Sequence, residues 1–124
     1  MFNFTAKKGR LNIDCSAIMM GKDLCVVITG GNKPHLGAVA LAAARASLSE
    51  PRSISASTSV LTLLGHKDDE VARKVAYALS SRLGKNVVVS CGIHLDGITE
   101  EEISLTFDLI NQMTEEMINI VNPV

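Results

Sequence analysis

Along the first half of the chain, apolar and polar side chains alternate. Phe2, Phe4 and Ala6 share one face of a short strand, and Lys7-Lys8-Gly9-Arg10 turns the chain. Leu11, Ile13, Cys15, Ala17 and Met19 then alternate with Asn12, Asp14, Ser16 and Ile18. A period of two is that of a half-buried strand. Met20-Gly21-Lys22-Asp23 is a second turn signal before an apolar strand at 24–29, so the start reads as an antiparallel meander. Residues 36–46, "LGAVALAAARA", are ambiguous. Alanine favours helix, but Gly37 lies at the start, Pro34 just precedes it and no good N-cap is present. A strand of small residues beneath something bulky is the reading taken. After the loop "SLSEPR", Ser53, Ser55, Ser57 and Ser59 alternate with Ile54, Ala56, Thr58 and Val60. That predicts a fifth strand with a hydroxyl-lined face.

The second half is helical. Asp68, Asp69 and Glu70 suit a helix start, where carboxylates meet the positive end of the helix dipole. Val71, Val75, Leu79 and Leu83 form one stripe with Ala72 and Ala76, and Gly84 supplies a left-handed stop. "NVVVSC" is a short buried strand. Thr99 and Glu102 form a capping box, flanked by the apolar staple Ile98 and Ile103. The stripe Ile103, Phe107, Ile110, Met113, Met117 and Val121 runs through the last helix. The prediction is an α+β domain over residues 1–124, in the order βββββαβα. About six strands form a mostly antiparallel sheet, with two helices packed on one face.

Composition narrows the function. The 124 residues are 47% hydrophobic, enough for one domain with its own core. Twelve basic residues against thirteen acidic leave a net charge of −1 and no basic footprint for nucleic acid. The longest apolar run, Ala38 to Ala44, is far short of the roughly 20 residues a membrane helix needs. The start does not resemble an export signal, so Cys15, Cys25 and Cys91 are expected as reduced thiols in a cytoplasmic protein. With no Trp, one Tyr and three Phe, stacking surfaces are scarce.

No nucleotide-binding glycine loop, nucleophile elbow or paired-cysteine motif occurs. Candidate chemistry lies in three corners where glycine and histidine end an apolar run: "GGNKPHLG" at 30–37, "LGHKDDE" at 64–70 and "CGIHLDG" at 91–97. One reading is a metal site of His35, His66 and His94, with Cys91 or Asp96 as a fourth ligand. Another is an anion or cofactor pocket. There Gly30 and Gly31 let backbone approach a phosphate, Lys33 and His35 donate to it, and the Ala-rich strand and Ser face lie beside it. A third is nucleophilic catalysis by Cys91 or Ser90 with His94 and Asp96. On one strand Cys91 and His94 point opposite ways unless the chain bends at Gly92. Taken singly, each corner also reads as ordinary turn chemistry.

The segments "GGNKPHLGAVALA", "SVLTLLGHKDDEVARKVAYALSSRL" and "VVVSCGIHLDGITEEEI" resemble the small D subunit of gallate-type decarboxylases. That family is described as prenylated-flavin chaperone-like, with a fold similar to proteasome assembly chaperones. The resemblance covers about residues 25–110, and His35, Gly37, His66, Asp68, His94 and Asp96 match its pattern. It implies an accessory, non-enzymatic partner of the catalytic subunit of a prenylated-FMN-dependent aromatic-acid decarboxylase. Such a protein would handle prenylated FMN or FMN transiently and pair as a homodimer. The residues expected to meet the flavin are Gly30, Gly31, Lys33, His35, Gly37, His66, His94 and Asp96. Two other readings stay open: a metal-dependent small-molecule enzyme built on the three histidines, and a pure interaction module like the assembly chaperones.

Overall fold

The alternation at the start of the chain folds into β1 (Phe2–Lys8), β2 (Leu11–Met20) and β3 (Asp23–Gly31), each antiparallel to the one before. The computed structural model describes residues 1–50, 52–63 and 67–121. β4 (Ala38–Ala46) and β5 (Ile54–Thr62) form a second antiparallel pair, so the Ala-rich segment is a strand. Then follow α1 (Asp68–Leu83), β6 (Val87–His94) and α2 (Glu100–Val121). The strands make one sheet in the order β1-β2-β3-β6-β4-β5. The expected α+β order is the observed one.

β6 is the element that completes the sheet. It runs parallel to β3 on one side and antiparallel to β4 on the other. Its inward residues Val87, Val89 and Cys91 are fully buried, as a strand inside a sheet requires. α1 lies over β4, β5 and β6, while α2 lies over β1, β2 and α1. Small side chains let α1 come close: Ala72 and Ala76 are fully buried, as are Ala40 and Ala42 on the strand beneath. Leu79 fills the remaining space, fully buried. α1 ends at Gly84, whose φ of 66° is the left-handed cap expected there, with its N–H donating to the Ser80 carbonyl.

The buried arc of α2 is broader than the predicted stripe. Leu109 and Ile118 join Ile110, Met113 and Met117 in the core, because the helix packs on α1 as well as on the sheet. Thr106 and Thr114 are buried too, each hydroxyl donating to the carbonyl four residues back at 2.7 and 2.8 Å. Ile103 and Phe107, expected in the core, are half-buried at the helix start.

Among the described residues no helix covers the opposite face of the sheet. Cross-strand register puts Leu41, Leu61, Val27, Ile18 and Met20 on that face, all solvent-exposed, together with the half-buried Cys25, Val39 and Val88. Ser57 and Ser59 share it, and Ser57 accepts a hydrogen bond from Arg45 Nε at 2.8 Å.

Candidate functional site

Because β3 and β6 run in parallel, Gly30-Gly31 and Ile93-His94 end side by side. The chain then wraps around the end of β6. Gly31 turns at φ 79°, and the N–H groups of Asn32 and Lys33 both donate to the His94 carbonyl, at 2.9 and 3.3 Å. The Gly37 N–H donates to the Cys91 carbonyl at 2.9 Å, so residues 32–37 cross directly over β6. The crossing needs bare backbone: a Cβ on Gly92 would overlap the His35 carbonyl, and one on Gly37 would overlap the Asp68 carboxylate. Gly30 sits equally tightly against the Asn12 carbonyl of β2.

This crossing brings two histidines together. The rings of His35 and His94 stand edge to face, 6.2 Å apart at an interplanar angle of 79°. His66 lies outside the described residues. Each of the two rings has a carboxylate. His94 Nε2 is 2.9 Å from Asp96 Oδ1, which also receives Lys33 Nζ at 3.3 Å. Asn32 Nδ2 donates to Asp96 Oδ2 at 2.7 Å, and the Asp96 N–H donates back to Asn32 Oδ1 at 3.0 Å. These donors, Asn32 first and then His94 and Lys33, hold the Asp96 carboxyl down at about 2.

His35 Nε2 lies 3.2 Å from Asp68 Oδ2. Asp68 is buried in the first turn of α1, with 4% of its surface exposed. Burying a carboxylate is costly unless it is paired and hydrogen-bonded. Its Oδ1 accepts the Ile93 N–H at 3.0 Å. The contact from His35 to Oδ2 has ion-pair distance but not hydrogen-bond alignment, and Oδ2 has no hydrogen bond among the described residues. Cys91 Sγ is 3.8 Å from Oδ1; burial first, then the Asp68 charge, pushes this thiol well above its ordinary range.

A cavity of about 480 Å³ opens beside the corner, between the starts of α1 and α2. Its apolar walls are Val71, Ile93, Leu95, Ile98, Ile103 and Phe107. Arg10 braces its far side from the β1–β2 turn. The guanidinium holds both Glu102 oxygens at 2.8 Å and donates to the Asp96 and Gly97 carbonyls at 2.7 and 3.1 Å. Glu102 also closes the predicted capping box: its N–H donates to Thr99 Oγ1, and the Thr99 N–H to its carboxylate, both at 3.1 Å.

The corner departs from the sequence reading in three ways. The Asn32 and Lys33 N–H groups are taken by the His94 carbonyl and the Gly37 N–H by that of Cys91, so these backbone donors do not stand ready as a phosphate ring, while the exposed Lys33 ammonium sits against Asp96. The Ala-rich strand is no ring slot, because α1 fills the space over Ala38, Ala40 and Ala42. Of the Ser face, Ser57 and Ser59 lie on the open side of the sheet, while Ser55 at the edge reaches the Tyr77 hydroxyl of α1 at 3.5 Å. Among the described residues no three His, Cys, Asp or Glu side chains are grouped to hold a metal.

A family model, the prenylated flavin chaperone LpdD-like domain, matches residues 7–122. The chain belongs to this family. It is similar to Protein LpdD of Lactiplantibacillus plantarum (strain ATCC BAA-793 / NCIMB 8826 / WCFS1), 24% identical over 126 residues. That match covers 96% of this chain and 84% of LpdD. The fold is similar to a chain from the crystal structure of a novel chaperone complex for yeast 20S proteasome assembly, with a TM-score of 0.55 and 16% identity. That likeness covers 94% of this chain and 92% of the other. The family matched is therefore the one its motifs resemble. Two features of its corner escaped the sequence reading. Asp68 matched the family pattern and does start α1, but its burial against His35 was not foreseen, and Gly92 looked like a bend when its role is to let residue 35 cross.

Proposed function

We propose that the chain is a non-enzymatic accessory subunit that holds a prenylated flavin mononucleotide in transit and delivers it to the catalytic subunit of an aromatic-acid decarboxylase. Family membership supports the flavin. The observation that carries the site is the pairing of His35 and His94, each against a carboxylate, with His94 and the Asp68 partner of His35 lining an apolar cavity. His35, His94, Lys33 and Asp96 serve the polar edge of the ligand. Gly30, Gly31 and Gly37 keep the lip in shape. His66 belongs to the same expectation. Phe107 supplies the one phenyl wall among the described residues, since Phe4 is buried in the core. One phenyl wall favours transient holding over permanent binding. The Cys91 thiol, buried and pushed up, is a poor nucleophile, which supports a carrier over a covalent catalyst.

The same reading gives the open sheet face to a second copy of the chain. Six strands about 4.8 Å apart and about nine residues long cover roughly 800 Å², the area each partner contributes to a standard stable interface. Two flat sheets pack face to face, and the exposed Leu41, Leu61, Val27 and Ile18 would then leave water. The setting is cytoplasmic, with Cys15, Cys25 and Cys91 as free thiols. No helix among the described residues is long and apolar enough to cross a membrane.

The test is reconstitution. Apo-decarboxylase is loaded with prenylated FMN in the presence and absence of the purified chain, and decarboxylation is followed. The expected result is faster or fuller loading with the chain. Equal loading in both arms removes the carrier role.

A further inference from the structure

The cavity and its surroundings differ in character. Six apolar side chains form the walls, and the volume of about 480 Å³ lies within the small-molecule range of roughly 300–1,000 Å³. The polar groups that touch it are largely committed, with Asp68 Oδ2, which has His35 at ion-pair distance but no hydrogen bond among the described residues, the exception. The Thr106 hydroxyl donates to the Glu102 carbonyl, and the buried Asp68 carboxylate accepts the Ile93 N–H with His35 beside it. Phe107 is held as a wall by the Lys74 ammonium, 4.8 Å from its ring centre.

Both helix starts that border the cavity are acidic. The first turn of α1 carries Asp68, Asp69 and Glu70, and that of α2 carries Glu100, Glu101 and Glu102. These carboxylates already answer the positive ends of the two helix dipoles, so a phosphate entering here would meet like charge. Among the described lining residues the one Lys or Arg is Lys67, which is exposed, and His94 stands against Asp96. The interior therefore suits an uncharged hydrocarbon, with any anion left outside.

We propose that this cavity seats the isoprenoid-derived ring of a prenylated flavin, with the ribityl phosphate left outside it. The seat rests on the carrier reading above and adds an orientation to it. It also adds selectivity: unmodified FMN lacks the isoprenoid carbons that enter the space, and burying a few extra carbon groups discriminates by roughly ten- to hundredfold.

The test titrates the full chain with prenylated FMN, its dephosphorylated form, FMN and inorganic phosphate, in the wild type and in Ile98→Trp. Ile98 stands at the cavity with 38% of its surface exposed, so the larger ring blocks the space without entering the core. Melting of the unliganded variant checks the fold, and Ile103→Trp replaces it if that melting collapses. The expected result is binding of prenylated FMN about tenfold or more tighter than FMN. Dephosphorylation changes it by less than about threefold, and the Trp variant weakens it at least about tenfold. Competition by inorganic phosphate, loss of binding on dephosphorylation, or full binding by the Trp variant overturns the seat but leaves the carrier role standing. No flavin binding in any arm removes the carrier role and the seat together.

Discussion

Asp96 has the best-satisfied carboxylate at the corner. Asn32, His94 and Lys33 favour its charged form and lower its pKa from an ordinary 3.8 to about 2. A carboxylate depressed in the fold stabilises it above the unfolded pKa, and that contribution is lost as pH falls through the folded value. The corner should therefore lose stability between about pH 4 and pH 2. Urea unfolding of wild type and Asp96→Asn across that range checks this: the wild type should show the steeper acid decline. Glu102, held down at about 2 chiefly by Arg10, titrates in both proteins and cancels in the comparison. At this scale the sequence showed His35, His94 and Asp96 as candidates because a polar cluster after a strand is conspicuous. Asp68 was visible as a helix-start acid that matched the family pattern, but its place in the corner was not, since that rests on burial under Gly37 and the Ile93 N–H.

The elements were the most legible level. The period of two gave β1, β2 and β5, apolar runs gave β3 and β6, the weak helix start at Pro34 and Gly37 gave β4, and Thr99 with Glu102 announced the start of α2. Thr99→Ala removes the hydroxyl that accepts the Glu102 N–H and donates to the Glu102 carboxylate, leaves the Thr99 N–H on that carboxylate, and should cost about 1 kcal/mol, read as a lower urea midpoint. Glu102 would keep its two bonds to Arg10, so the β1–β2 turn should stay docked. The predicted stripe of α2 was too narrow. A one-faced stripe assumes one neighbour, whereas α2 touches both a helix and a sheet. Its half-buried start, Ile103 and Phe107, became a cavity wall where the stripe alone predicts core.

For the whole molecule, the open sheet face makes a prediction with the cysteines. Cys15 and Cys91 are buried on the helix side, Cys15 with its thiol pushed up to about 12 by burial, so both should react slowly. Cys25 is half-buried on the open face and should react first. If a second copy covers that face, its rate should fall as protein concentration rises, and Leu41→Arg should abolish the fall. A rate independent of concentration would leave that face to another partner. Sequence alone determined the elements, their order and the fold class, because side-chain period and turn chemistry are local. It also carried the family, because its short glycine–histidine motifs are contiguous. Tertiary structure alone decided that β6 enters between β3 and β4, since strand pairing depends on where α1 returns the chain. That placement brings residues 35, 68 and 94 together, and leaves an apolar cavity between two acidic helix starts.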